Sequence, residues 1–241
     1  MIRFYSPQIE TTPILSETES GHCCRVLRLK EGDIVHVVDG KGSTFECEII
    51  LAHPKHTELR ILTKNSEQKY WQPSITLAVA PTKSIDRIEW LIEKAVEIGL
   101  DKIVFVRCRR SERKDVNIDR LEKIMVSAMK QSMKATLPQF SEMIDFNHFI
   151  NNLPDGDKYM GYCSEDYPRL ELTKEYNPGK NVTILIGPEG DFSPEEVELA
   201  TTAGFIPVTF GQTRLRTETA ALYALTAIHV INNQHDSFHK P

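Results

Sequence analysis

Residues 181–196, N-V-T-I-L-I-G-P-E-G-D-F-S-P-E-E, constrain the fold of this chain more than any other segment. The apolar run 181–186 reads as a strand, and it leads directly into a loop with two glycines and a proline. Ser193 then offers an N-cap, Pro194 suits the first helical position and Glu196 completes a capping box, which predicts a helix over 194–203. A strand joined to a capped helix in this way is a unit of a parallel α/β sheet. Glycine loops at the carboxyl ends of such strands are where these sheets hold ligands, although the same residues also suit a plain tight connection.

The rest of the chain divides by character. Residues 75–80 predict a strand, 85–98 a helix closed by Gly99, and 102–106 a second strand, the βαβ order of a sheet covered by helices. A helix over 117–135, strands at 158–163 and 207–210, and a helix over 218–232 continue the pattern. Before residue 70 the reading is small-barrel material. Residues 33–39 are rich in Val and Ile, D-G-K-G at 39–42 makes a turn into 43–51, and a third β-like run follows at 57–63. Ser16-Glu17-Thr18-Glu19 forms a capping box that opens a short helix through Leu27. The polar stretch 64–73 ends in proline and marks the boundary, so two domains are expected, over 1–70 and 74–241.

With 29 Lys+Arg against 34 Asp+Glu, the net charge of −5 gives no bulk reason to bind nucleic acid. The distribution differs from the average. Residues 102–134 hold ten basic and four acidic side chains, a local +6. On the 117–135 helix, Leu121, Ile124, Met125, Ala128, Met129 and Met133 occupy about half the wheel, while Arg120, Lys123, Lys130 and Lys134 cluster in roughly 80° opposite them. Contact with RNA or phosphate through Arg109, Arg110, Arg113, Arg120, Lys123 and Lys130 is one reading, and ordinary solvated surface is the other. Five scattered cysteines without a C-x-x-C pair argue against a disulfide framework or a metal site and for a reducing cytoplasm. Adjacent Cys23 and Cys24 read as buried or half-buried thiols on a helix. No run approaches the ~18 apolar residues of a membrane span, and the N-terminus lacks the apolar core of a signal peptide.

The first loop contains neither G-x-x-x-x-G-K-[ST] nor G-x-G-x-x-G, and Glu189 and Asp191 would repel phosphate. It suits a neutral or cationic ligand held by backbone groups, a description met by S-adenosylmethionine with its positive sulfonium. A second loop, F-G-Q-T-R-L-R-T-E-T-A at 210–220, follows the 207–210 strand. Thr217 or Thr219 can cap the next helix, and Glu218 suits its positive end. That helix is apolar on nearly all sides, which places it in the interior, at a subunit interface, or both. Arg214 and Arg216 would then stand beside the ligand cleft, placed for an anionic substrate.

These two segments resemble those of the RsmE family, SPOUT-class methyltransferases that act on N3 of a uridine in 16S ribosomal RNA of the small (30S) subunit. The resemblance spans the chain. H-C-C-R-V-L-R-L-K-E-G-D at 22–33 is similar to the family's PUA-like RNA-binding barrel, and 83–99 to its K-x-x-x-x…E-K-A-x-E-x-G helix. A-M-K-Q-S at 128–132 with Pro138 is similar to its A-x-x-Q-S…P segment. Asp191 departs from the last glycine of G-P-E-G-G, and Thr213-Arg214 from an arginine followed by an aliphatic residue. The resemblance implies an N-terminal PUA-like β-barrel, a C-terminal SPOUT α/β domain with a deep trefoil knot, and a homodimer. It implies S-adenosylmethionine contacts at Ile186, Gly187, Pro188, Glu189, Gly190, Phe210, Gly211, Leu215, Thr217, Thr219 and Ala220, with 161–164 as a third candidate. Arg25 and Arg28 fall in the barrel segment as RNA contacts.

For such a reaction the target uracil must be unpaired or flipped out, since its N3 faces the partner base in a duplex. N3 carries a proton and is a poor nucleophile until that proton leaves. The site needs a base, or cations acting on the uracil carbonyl oxygens. Arg216 and then Arg214 are the candidates for the second role. Glu218 or Glu189 is the candidate for proton removal, and Glu218 equally suits a helix-end role. Two other readings are another RNA position for the same class of enzyme, and a non-catalytic RNA-binding ribosome-assembly module.

Overall fold

The structure is a computed structural model and describes residues 2–164 and 168–239. The chain divides into two units. Met1–Tyr70 with Met125–Leu137 form the first, and Trp71–Ile124 with Pro138–Pro241 form the second.

The first unit is a four-stranded sheet in the order β1-β2-β3-β4, comprising β1 (Arg3–Tyr5), β2 (Ile34–Val38), β3 (Ser43–Leu51) and β4 (Glu58–Ser66). The last three form the expected antiparallel meander, and β1 joins β2 in parallel. Three residues carry too little periodicity to reveal β1 from sequence. Asp39 builds the β2–β3 turn by accepting the N–H groups of Lys41 and Ser43 on one carboxylate oxygen, at 2.7 and 3.0 Å. Phe45, Cys47 and Ile49 alternate inward along β3 onto Phe4, Val35, Val37 and Leu59. Burial pushes the Cys47 thiol up to about 11 and the Cys23 thiol up to about 12, so both pack as neutral apolar groups. Helix α1 (Glu17–Gly21) runs into a π-helical turn over His22–Val26, on which Cys23 is buried and Cys24 half-buried. Ser16 caps α1 by accepting the Glu19 N–H at 3.3 Å, but the expected capping box does not close. The Glu19 carboxylate instead pairs with Lys130, a partner 111 residues away that local sequence cannot reveal.

The second unit is a seven-stranded sheet in the order β7-β6-β5-β10-β8-β11-β9, with every neighbouring pair parallel. Its elements run β5 (Ile75–Val79), α2 (Ile85–Ile98), β6 (Lys102–Arg107), α3 (Ile118–Gln131), β7 (Ile144–Asp145), α4 (Phe146–Asn151) and β8 (Asp157–Gly161). Then follow β9 (Leu170–Glu171), α5 (Leu172–Glu175), β10 (Val182–Ile186), α6 (Pro194–Thr202), β11 (Ile206–Thr209) and α7 (Thr217–His239). Strands β5 and β10 are buried at all five positions, as central parallel strands must be. Helix α3 stops short of residue 135. Ser132 Oγ donates back to the Ala128 carbonyl at 2.7 Å, and Met133 takes φ +58°. Residues of α3 through Ile124 count with the second unit and those from Met125 with the first. Strand β10 enters between β5 and β8, and β11 between β8 and β9, so later strands occupy gaps between earlier ones.

Candidate active site

The carboxyl ends of β8, β10 and β11 open onto one cavity of about 690 Å³. Side-by-side parallel strands end in register here, with Ile186 opposite Gly161 and Val208 opposite Gly161 on its other side. The loop after β10 is drawn out by the capping of α6. Ser193 Oγ accepts the Glu196 N–H, and Glu196 accepts the Ser193 N–H at 2.8 Å. The loop after β11 is fixed by the start of α7, where the Arg216 carbonyl accepts the Ala220 N–H at 2.8 Å.

Two bonds tie the loops together. Thr217 Oγ1 donates to the Gly187 carbonyl at 3.0 Å in a buried setting, and Arg214 Nη2 reaches the Glu189 carbonyl at 3.4 Å. Asp191 joins the third strand end. It sits at φ +60°, a left-handed position natural for glycine and tolerated by Asp. Its carboxylate accepts the Phe192 N–H at 2.9 Å and the Cys163 N–H at 3.2 Å, which a glycine there could not do. Asp191 thus trades the backbone freedom of a glycine for a tether to the end of β8. Burial, then the Asp191 carboxylate, pushes the Cys163 thiol up, against the opposing pull of Arg214 and Arg169.

Two glycines are set by close approach. A Cβ at Gly161 would lie 2.7 Å from the Phe210 ring and 2.9 Å from Ile186 Cδ1, and one at Gly187 would lie 2.9 Å from the Phe192 ring. Ile186, Gly187, Pro188, Glu189, Phe210, Gly211, Leu215, Thr217 and Ala220 all line the cavity, as do Arg214, Arg216 and residues 161–164. Gly190, Thr219 and Glu218 do not line it. Gly190 accepts a bond from Arg110 at 2.9 Å, Thr219 is exposed, and Glu218 is buried with its Oε1 3.8 Å from Arg87 Nε. Arg87 and Arg169 line the cavity and were not among the sequence candidates. A signal for Arg87 existed. It sits in the first turn of the helix after β5, at the same end of the sheet as both loops, inside the 83–99 motif.

The wall combines carbonyl and carboxylate acceptors and the arginines Arg87, Arg169, Arg214 and Arg216 with an apolar floor of Ile186, Phe210 and Leu215. That set of groups fits a ligand with a cationic centre, an anionic end and flat or aliphatic parts, and it fits S-adenosylmethionine in particular. Arg216 is exposed on the wall and forms no ion pair among the described residues.

The basic candidates elsewhere fare differently. Arg109 pairs with Glu195 at 3.1 Å, Arg113 donates to the Thr82 and Lys83 carbonyls, and Arg120 pairs with Glu89. Lys130 bridges to Glu19 within the first unit, its side chain only 20% exposed. Lys123 is exposed on the second unit. Arg25 and Arg28 are exposed on the first unit and form no ion pair among the described residues.

Comparison with known proteins gives a consistent picture. The model of the family described as RNA methyltransferase domain matches residues 69–229, and that described as RNA methyltransferase PUA domain matches residues 15–62. A probable rRNA-methyltransferase from Porphyromonas gingivalis is 43% identical, covers 98% of this chain and 100% of its own, and superposes with a TM-score of 0.92. A ribosomal RNA small subunit methyltransferase E from Neisseria gonorrhoeae, bound to S-adenosyl methionine, is 26% identical, with a TM-score of 0.82 over 96% of this chain and 98% of its own. The ribosomal RNA small subunit methyltransferase E of Bacillus subtilis is 27% identical over 94% of each chain.

Proposed function

Because this chain belongs to the RNA methyltransferase family, we propose that it is an S-adenosylmethionine-dependent enzyme that methylates N3 of a uridine in 16S ribosomal RNA. One observation carries the reading: both glycine loops and Arg216 meet on a single cavity at the strand ends. When bound, the cofactor supplies an electrophilic methyl group on a sulfonium. The residues of the chain do the rest. Backbone carbonyls and the Glu189 and Asp191 carboxylates complement positive charge, and Ile186, Phe210 and Leu215 exclude water. The N3 proton must pass to solvent before that nitrogen can accept a methyl group. Arg216, exposed on the cavity wall, can lower the cost of that loss by acting on the carbonyl oxygens of the anion. Holding the two reactants in line supplies much of the remaining acceleration.

The proposal extends to the assembly. The entry of β10 between β5 and β8 supports a trefoil-knotted path, in which the cofactor loops are parts of the knot. Tyr223 and Val230, 42% and 48% exposed on α7, support burial of that helix against a second copy in a homodimer. Arg25 and Arg28 support RNA contact by the first unit, with ribosomal RNA or the 30S subunit in the cytoplasm as partner. Among the described residues no helix is long and apolar enough to cross a membrane.

Calorimetric titration with S-adenosylmethionine tests the enzyme reading, and absence of binding by folded protein would favour the assembly-module alternative. Mapping N3-methyluridine in small-subunit RNA from a deletion strain tests the position. An unchanged profile there points to another RNA site. Sedimentation at micromolar concentration tests the dimer, for which a monomer is the contrary result.

A further inference from the structure

Four arginines line the cavity among the described residues: Arg87, Arg169, Arg214 and Arg216. Two of them are occupied with the walls, Arg169 on the Cys163 carbonyl at 2.7 Å and Arg214 on the Glu189 carbonyl. Arg87 reaches the cavity from a separate element, the first turn of α2, with 39% of its side chain exposed. Its Nε lies 3.8 Å from Glu218 Oε1. The Glu218 side chain is only 8% exposed, lies outside the cavity wall, and has an Oε2 with no hydrogen-bond partner. In the chain Glu218 directly follows Arg216 and Thr217, both on the wall. A buried carboxylate off the cavity wall is poorly placed to take a substrate proton. It can hold a cation, and Arg87 is the cation it faces.

We propose that Arg87 is a second catalytic cation, working with Arg216 on the two carbonyl oxygens that flank uracil N3, and that Glu218 is the positioning residue that holds Arg87. The inference rests on the uridine-N3 reading above. Loss of the N3 proton to solvent water or hydroxide spreads negative charge over N3 and both neighbouring oxygens. A single guanidinium approaching from one side meets one oxygen, whereas two guanidiniums carried by different elements can meet both. Glu218 thereby changes role from a candidate base to the anchor of an arginine.

The test is the pH dependence of kcat for methylation of small-subunit RNA by Arg87→Ala, Arg87→Lys and Glu218→Gln, with calorimetric Kd for S-adenosylmethionine and thermal unfolding measured on each. Arg87→Ala is expected to lower kcat about 100-fold, the scale of losing one oxyanion donor. Its pH profile should rise at higher pH than that of the wild type, because the anion is less stabilised, while cofactor Kd stays within about threefold. Arg87→Lys should recover part of the rate. Glu218→Gln should lower kcat about tenfold with a shift in the same direction, and combining it with Arg87→Ala should add no further loss, as expected for residues that act as a unit. A wild-type kcat and pH profile in Arg87→Ala would overturn the assignment. So would a loss confined to cofactor Kd, which would make Arg87 a clamp for the cofactor's carboxylate. Wild-type protein that transfers no methyl group to uridine N3 overturns the underlying reading instead, a failure visible before any variant is made.

Discussion

The basic side chains of this protein fall into two groups that the sequence does not separate. Along residues 107–130 most have partners within the protein: Arg109 on Glu195, Arg113 on two carbonyls, Arg120 on Glu89, Lys130 on Glu19. On the cavity wall Arg216 has no such partner among the described residues, and neither have Arg25 and Arg28 on the first unit. The first group accounts for four of the ten basic side chains behind the local +6 that suggests an RNA partner. The second group holds the charge that is free to act on a ligand. A count of charges along a chain therefore measures supply, while availability is set by partners distant in sequence.

The contrast is broken most directly at its two ends. Arg216→Ala should reduce kcat by about 10²–10³-fold with folding and cofactor affinity retained, as for removal of an oxyanion donor. Single-turnover methylation measures this, and a rate within about fivefold of wild type would show that the free arginine is not where the chemistry occurs. Lys130→Ala should act on stability instead. It leaves the Glu19 carboxylate, 9% exposed and already with one unpartnered oxygen, as an isolated charge, at a cost of about 3 kcal/mol in the first unit. Urea unfolding gives the number, and adding Glu19→Gln should restore most of it. If Lys130→Ala leaves stability intact and weakens RNA binding, that residue belongs to the free group.

A smaller effect probes the floor between the loops. Gly161→Ala places a Cβ 2.7 Å from the Phe210 ring and 2.9 Å from Ile186 Cδ1, so side chains that line the cavity must shift. Cofactor affinity should fall about tenfold, or roughly 1.4 kcal/mol, with little change in unfolding midpoint. Calorimetry with S-adenosylmethionine separates this from general damage.

What was legible in the sequence follows from the range of the interactions involved. Helix α2 at Ile85–Ile98 and the capping box of α6 were readable because their signals lie within a few residues of one another. The cavity loops were readable for the same reason, since strand, glycine and cap are contiguous there. Strand β1, the two-residue β7 and β9, and the short helices α4 and α5 were not, because each depends on a neighbour elsewhere in the fold. The sheet order is of that kind too: nothing local tells β10 to enter between β5 and β8. Glu218 shows the limit most clearly. Its place beside a helix start was legible, but its burial against Arg87 from another helix was not.

The finest test sets Arg120 against the pair Arg25 and Arg28. All three are exposed cations, and by composition they are equal. Arg120 is held by Glu89, which also pushes its guanidinium further up through a hydrogen bond and charge, so its removal exposes a carboxylate rather than vacating an RNA contact. Arg120→Ala should therefore change RNA affinity less than about twofold and leave the dependence of log K on log salt unaltered. Arg25→Ala with Arg28→Ala should lower affinity severalfold and flatten that slope by about 0.7–0.9 for each phosphate the protein no longer neutralises. Filter binding of small-subunit RNA across a salt series reads both. Equal slopes for the two variants would mean that ion pairing within the protein does not decide which cations meet RNA. A flattened slope for Arg120→Ala alone would move the contact surface from the first unit to α3.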